Sequence, residues 1–277
     1  MINTVRKFFA FTLVSAFLLG TPLLDGNSLH AQGRKKKSKR EKSEGGKDKK
    51  DKSRIDYLFI EANTQYLQGK TAEASLLFKQ VLDVDSKHHA SMYNISKIAF
   101  EDGDFETAVK YARMALDIKD DNIWYYSQLV SAYQGQRNTA KAIAVQEELV
   151  EKFPEDKDAL FELAQLYIEA KRYQESVTAY GKLEELIGMN EEVVFRKHQL
   201  YIYLNQPEKA LEEIDKLIAF FPNEQQYYQA KYDIYMLTDR EEEAQQILHD
   251  LLKVNPSDAF ALLALADYYK SKEQYSK

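Results

Sequence analysis

Residues 89–122 decide the fold, and they read HASMYNISKIAFEDGDFETAVKYARMALDIKDDN. Apolar residues keep helical spacing on both sides of the polar sequence Glu101-Asp102-Gly103-Asp104, which is typical of a turn. Gly103 has no Cβ, so it can adopt the positive φ that such a turn often requires. The stretch therefore predicts two short helices joined by a tight turn.

A small residue recurs every 34 positions without any insertion, at Ala74, Ala108, Ala142, Ser176, Ala210 and Ala244. This period is typical of stacked helix pairs, and small side chains let the two axes of a pair approach closely. Residues at which a helix is expected to end keep the same step, at Ser86, Asp120, Pro154, Gly188, Pro222 and Pro256. The predicted units are 55–88, 89–122, 123–156, 157–190, 191–224 and 225–258, followed by a partial unit, 259–277.

The pattern resembles the tetratricopeptide repeat family. In unit two the resemblance is carried by Ile95, Ser96, Ala99, Gly103, Phe105, Ala108, Ala115 and Leu116, and in unit four by Leu163, Ala164, Tyr167, Tyr173, Tyr180 and Leu183. It implies an all-α, right-handed α-solenoid (superhelix) of antiparallel helix pairs over residues 55–277. His198 and Tyr232 replace the family's small residue, so looser packing is expected there. The family is a binding module, which implies little about the ligand.

Charge is divided unevenly along the chain. Residues 1–54 hold 14 basic and 5 acidic side chains, whereas the remainder holds 24 basic and 39 acidic ones, a net charge of −15. An acidic array disfavours nucleic acid as a partner, because phosphates need a basic surface. The chain has no cysteine, which excludes disulfides, zinc-thiolate sites and thiol catalysis.

Residues 1–31 resemble a secretory signal peptide. Arg6-Lys7 precede an apolar run, Phe8 to Gly20, that is short for a membrane span, and cleavage is expected after Ala31. The sequence thus favours an exported bacterial member of the family, in the periplasm or cell envelope. The alternative is an uncleaved membrane anchor formed by residues 8–24. The basic cluster downstream favours that alternative and would keep the array inside the cell.

Residues 32–54 contain 12 basic side chains and no apolar one. They predict a disordered polybasic linker without secondary structure. Such a segment can contact an anionic membrane or envelope surface, and the alternative is a solvated spacer.

No catalytic or cofactor-binding motif is present. A phosphate-binding glycine loop, a zinc-protease motif, a nucleophile elbow and a calcium loop are all missing. The adjacent His88 and His89 point in different directions on a helix, so they do not predict a metal site. We expect no enzyme activity, no cofactor and no metal.

The family resemblance places the first helix of each unit on a concave groove. The residues expected to bind a peptide there are Phe59, Asn63, Tyr66, Tyr93, Lys97, Phe100, Trp124, Phe161, Gln165, Phe195 and Gln199. Acidic residues lie among them, so the expected partner is an extended or helical protein segment, apolar with basic residues. The alternative for several rings is that they pack between neighbouring repeats.

One family subtype, which grips a chaperone's terminal carboxylate, fits poorly. Asn63 and Asn94 match its two amides, but Phe59, Trp124 and Gln128 occupy its cation positions.

The sequence therefore favours a non-catalytic protein–protein interaction scaffold of the bacterial cell envelope. Two alternatives stay open: the exported sensory half of a membrane signalling protein, and the substrate-recognition module of an enzyme whose catalytic part lies beyond residue 277. The segment from Lys270 to Tyr275 matches the turn of a helix pair. We therefore expect either further sequence or a frayed last helix.

Overall fold

The computed structural model describes residues 37–272, with side chains from Lys49 onward. The chain divides into two units, Met1–Lys50 and Asp51–Lys277. The expected signal peptide, residues 1–31, and the last five residues lie outside the described range.

Thirteen helices make up the regular structure of the described residues. They are α1 (Lys37–Leu67), α2 (Thr71–Val84), α3 (His89–Glu101), α4 (Phe105–Ile118), α5 (Ile123–Gly135), α6 (Thr139–Lys152), α7 (Lys157–Glu169), α8 (Tyr173–Ile187), α9 (Glu191–Tyr203), α10 (Pro207–Phe220), α11 (Gln225–Leu237), α12 (Glu241–Val254) and α13 (Ala259–Ser271).

Helix starts repeat at the predicted step. From α3 to α13 every odd-numbered helix begins 34 residues after the one before it, and the even-numbered helices from α2 to α12 do the same. From α2 to α13, consecutive helices pack on each other along the stack. The prediction of an all-α solenoid of helix pairs is therefore confirmed.

The small residues of the 34-residue period lie where the two helices of a pair cross. All six are buried, with at most 1% of their surface exposed. In unit two the Ser96 hydroxyl donates to the carbonyl of Ala108 at 2.7 Å, and in unit four Ser176 donates to Ala164 at 2.9 Å. Only small side chains allow such close approach, so the period reflects helix crossing directly.

A left-handed residue closes the turn inside each of the six complete units. Its φ lies between 55° and 79° in every case, at Gly69, Gly103, Arg137, Lys171, Asn205 and Asp239. Glycine was expected to take this conformation only at residue 103. Gly69 takes it in unit one as well, whereas units three to six place an ordinary side chain there, at a conformational cost of about 1–2 kcal/mol each.

His198 fits within its helix pair although the family has a small residue there. The imidazole is 6% exposed, its Nδ1 lies 3.1 Å from the carbonyl of Ala210, and its ring stacks on Phe195. Burial lowers the pKa of His198, which favours a neutral ring that donates from Nδ1. Tyr232, at the same position of unit six, is only partly buried and packs edge-on against Phe260.

The first helix includes residues 37–54, which were expected to lack secondary structure. Lys, Arg and Glu have favourable helix propensity, and this part of the chain contains no proline. Because residues 55–67 of α1 form a helix within the array, extending it toward the N-terminus needs no second nucleation. The expectation of a linker without secondary structure is corrected accordingly over residues 37–54.

Candidate functional site

The residues predicted to bind a peptide all lie on odd-numbered helices, from α1 to α9. None of the eleven is fully buried. We call the surface formed by the odd-numbered helices the odd-helix face. The sequence therefore located these side chains on one helix of each pair, and their role in binding stays a prediction.

Three of the predicted residues form a cluster between α1 and α3. The Lys97 ammonium lies 4.9 Å from the centroid of the Tyr66 ring and 5.9 Å from that of Tyr93, which favours cation–π attraction. The Tyr66 hydroxyl donates to the carboxylate of Glu101. Burial, together with this bond, raises the pKa of Tyr66. These side chains join neighbouring repeats, as the alternative interpretation expected.

Tyr93 also reaches the third unit. Its ring centroid lies 5.1 Å from that of Tyr125, whose hydroxyl is 2.7 Å from Nδ1 of His89. His88 caps α3, because its Nδ1 accepts from the backbone N–H of Ser91. The two adjacent histidines thus have separate structural roles. Among the described residues, no group of three or more His, Asp or Glu side chains is placed to hold a metal ion.

The predicted phenylalanines make aromatic contacts with neighbouring helices. Their partners lie with ring centroids 5.5–5.8 Å away: Phe59 with Phe78, Phe100 with Phe105, and Phe161 with Tyr180. The ring centroid of Phe195 lies 6.1 Å from that of Tyr227 on α11. Gln165 donates to the Tyr180 hydroxyl at 2.8 Å. Each ring therefore contributes to the packing of the array as well as to its surface.

Trp124 is different, because 64% of its surface is exposed. Within the described residues it belongs to no aromatic pair. It lines a cavity of about 260 Å³ between α5 and α7, which we call the Trp124 cavity. The Asn122 side chain caps α5 by accepting from the backbone N–H of Trp124 at 3.0 Å, which fixes the start of the helix that carries the ring.

The opposite side of the Trp124 cavity is acidic. Asp156, Asp158 and Glu162 contribute to it from the start of α7. The Asp156 carboxylate caps the N-terminus of α7, because its Oδ1 accepts a hydrogen bond from the backbone N–H of Ala159 at 2.9 Å. Burial and, to a smaller extent, the charge of Glu169 raise the pKa of Glu162. A cation from a partner would relieve this electrostatic cost.

A second, larger cavity lies at the far end of the odd-helix face. It measures about 490 Å³, and we call it the C-terminal groove; its lining includes Tyr232, Met236, Leu248, Phe260, Leu263 and Asp267. This groove was not predicted, because the groove positions had not been assigned in the partial seventh unit. Phe260 and Leu263 occupy positions two and five of that unit, so the repeat register was the signal that could have found them.

The two amides of the carboxylate-gripping subtype are used inside their own helices. Asn63 donates to the carbonyl of Phe59 at 2.7 Å, and Asn94 donates to that of Ala90 at 2.9 Å. One of the two N–H donors of each amide is therefore used within its own helix.

Comparison with known proteins agrees with this geometry. A tetratricopeptide repeat family model matches residues 61–123 and 128–186. The chain therefore folds as a solenoid of the tetratricopeptide repeat type, and the two matched stretches are similar to a family that is usually non-catalytic and serves as a protein-interaction module. No curated protein matches the chain in sequence. None of the helices in residues 37–272 is long and apolar enough to cross a membrane.

Three solved structures illustrate the likeness. A tetratricopeptide repeat protein of Parabacteroides merdae is 17% identical, with a TM-score of 0.52 over 80% of this chain and 88% of its own. The C-terminal part of a repeat-containing protein of Cytophaga hutchinsonii is 18% identical, with a TM-score of 0.55 over 75% and 86%. YrrB, described as having an unusual peptide-binding site, is 19% identical, with a TM-score of 0.50 over 63% and 90%. At these identities the likeness establishes the fold alone.

Proposed function

We propose that this protein is a non-catalytic scaffold of the bacterial cell envelope that docks segments of other proteins along its odd-helix face. The observation that carries the proposal is the exposed Trp124 ring beside an acidic cavity. Exposed tryptophan on a rigid helix is a frequent anchor of protein interfaces, because it offers a large contact area at small entropic cost. The peptide-binding site described for YrrB supports peptide recognition by this fold.

The chemistry of the Trp124 cavity defines the segment it would bind. Asp158 and Glu162 form no hydrogen bond or ion pair in the described part of the chain, so their charges are available to a partner. The Trp124 face offers an apolar contact and attracts cations through its π system. The favoured segment is apolar and carries Lys or Arg.

The test uses the emission of Trp124, the only tryptophan in the protein. Apolar peptides carrying lysine are titrated against the wild type, and peptides with glutamate in place of lysine serve as the ligand control. We expect Trp124→Ala, followed by labelled-peptide anisotropy, to weaken binding about thirtyfold or more without changing the melting temperature.

Phe220→Ala is the matched control for Trp124→Ala. Phe220 is also an exposed aromatic residue, at 63%, but it lies on α10, outside both the odd-helix face and the Trp124 cavity. Its replacement should leave binding unchanged. Equal loss in both variants, or a drop in melting temperature for Trp124→Ala alone, would contradict the proposed anchor.

Location in the envelope is a separate part of the proposal, supported by the N-terminal sequence. Mature protein should begin near Gln32 and fractionate with the periplasm or envelope. N-terminal sequencing that returns Met1, with an array accessible only to protease added from the cytoplasmic side, would replace export with the membrane-anchor alternative.

A further inference from the structure

The partly or fully buried lysine and arginine side chains of the odd-numbered helices differ in whether they have a carboxylate partner. Within the described side chains there are four of them, Lys97, Arg196, Lys197 and Lys231. The last three each form an ion pair with a carboxylate. Lys97, on α3, forms none with the described residues and contacts two aromatic rings instead. It is therefore the one cation of this set whose charge is left to an outside partner.

The rings of Tyr66 and Tyr93 position the Lys97 ammonium without neutralising it. Cation–π attraction orients a cation, but a tyrosine ring carries no net negative charge that could offset it. Glu101, one turn further along α3, accepts a hydrogen bond from the Tyr66 hydroxyl and forms no ion pair with Lys97. The half-buried ammonium is thus a positive charge held in one place on the odd-helix face. We call Lys97 and these two rings the Lys97 site.

The Lys97 site and the Trp124 cavity lie on neighbouring parts of the odd-helix face. Tyr93 packs against Tyr125, the residue that follows Trp124 in α5. The helices α3 and α5 also contact each other directly. Over this part of the face the charge therefore changes from positive at Lys97 to negative at the carboxylates of the Trp124 cavity.

We infer that the odd-helix face selects a protein segment with charges of both signs: an aspartate or glutamate side chain that pairs with Lys97, and a lysine or arginine, next to an apolar residue, that enters the Trp124 cavity. The inference rests on the proposed docking at Trp124 and adds a second contact to it. Complementary charges across an interface fix the register of the partner. A purely basic segment would place like charges beside Lys97, which disfavours partners of that kind.

A glutamate scan of labelled peptides tests the inference. All peptides share the apolar and lysine anchor used for Trp124, and each carries one glutamate, or one glutamine as its neutral match, at a different position on either side of the anchor. Their ends are acetylated and amidated, so only side chains supply charge. At the position that reaches Lys97, glutamate should strengthen binding to the full chain about fivefold over glutamine, as measured by anisotropy. The gain should shrink at high salt, because the pair is partly exposed.

Two substitutions of Lys97 separate its charge from its packing. Lys97→Met keeps an unbranched side chain against the tyrosine rings but removes the charge, so the glutamate and glutamine peptides should bind this variant alike. Lys97→Glu should invert the preference, so that a peptide with lysine at the same position binds better than the one with glutamate. A purely structural role of Lys97 would lower the melting temperature of the variants without inverting the preference.

Lys110→Glu is the matched control. Lys110 also lies over a tyrosine ring, 5.5 Å from the centroid of Tyr111, but on the even-numbered helix α4. The control changes the net charge as much as Lys97→Glu does and should keep the gain from glutamate. Loss of the gain in this control, a gain that persists in Lys97→Met, or no gain at any peptide position would overturn the inference while leaving binding at Trp124 intact. If no peptide bound the wild type, the proposed docking would fail and the inference with it.

Discussion

Units three and four share one apolar cluster except for Ala132, whereas the buried apolar residues of units five to seven lie mostly in two further clusters. The first cluster extends from Met92 on α3 to Leu200 on α9. Beyond it, one cluster is built around Val194 and Ile214, and another around Tyr228 and Leu251. The helix register is the same in both regions, so identical spacing does not ensure a continuous core.

The difference originates at position seven of the unit. This position is Leu129 and Leu163 in units three and four, where both side chains belong to the first cluster, and it is lysine in units five and six. The Lys197 ammonium, 8% exposed, lies 2.6 Å from a Glu184 oxygen and 2.7 Å from a Glu213 oxygen. Burial alone would lower the pKa of Lys197, but the two carboxylates outweigh burial and leave the pKa raised. An ionic network thus lies on α9, the helix that contributes residues to both of the first two clusters.

The largest effect should come from removing that lysine. Lys197→Met removes the buried cation of Glu213, which is only 7% exposed and keeps the more exposed Lys216 at 2.9 Å, and should lower the free energy of unfolding by about 3–5 kcal/mol. Urea denaturation measures the loss. Lys231→Met, at the same position of unit six, is the matched control: its partner Asp215 is 51% exposed, so about 1 kcal/mol or less should be lost. Equal losses would contradict the distinction between the two lysines.

A smaller effect should distinguish the continuous core from the C-terminal end. Ala142→Leu forces extra volume into the crossing of α5 and α6, where Ala142 is fully buried, and should cost about 1–3 kcal/mol. Ala244→Leu, at the equivalent position of unit six, has the C-terminal groove beside it and should cost less. Urea midpoints of the two variants make the comparison. A larger loss for Ala244→Leu would indicate that the groove offers no such space.

The smallest effect concerns the turns, which are alike in both regions. Lys171 has a φ of 59°, so Lys171→Gly should stabilise the protein by about 0.5 kcal/mol after the entropy of glycine in the unfolded chain is included. Asn205→Gly should raise the free energy of unfolding by less than Lys171→Gly does, because asparagine tolerates a positive φ better than lysine. The melting temperatures of the two variants give the order of the effects. A lower melting temperature for Lys171→Gly would show that the Lys171 side chain contributes more stability than its positive φ costs.

Much of the fold could be predicted from the sequence, because one small residue per 34 marks every helix crossing. The helical start of α1 could not be predicted, because residues 37–54 have no apolar periodicity. The Lys197 network was also missed: its carboxylates come from α8 and α10, and pairing across helices leaves no local pattern.

The candidate site was predictable only in part. The register of the 34-residue repeat was sufficient to place the aromatic residues on odd-numbered helices. Distinguishing the exposed Trp124 from rings such as Phe161 required the neighbours that each ring meets, for example Tyr180.

The unbroken 34-residue step of the helices has a consequence for any partner that follows the odd-helix face. Packed helices lie about 8–10 Å apart, and an extended chain advances about 3.3 Å per residue. A partner would therefore pass one repeat for about every three of its own residues, so its contact residues should recur with that spacing. A helical partner, rising about 1.5 Å per residue, would need about six. The spacing of the contact residues in a partner's sequence would therefore distinguish an extended ligand from a helical one.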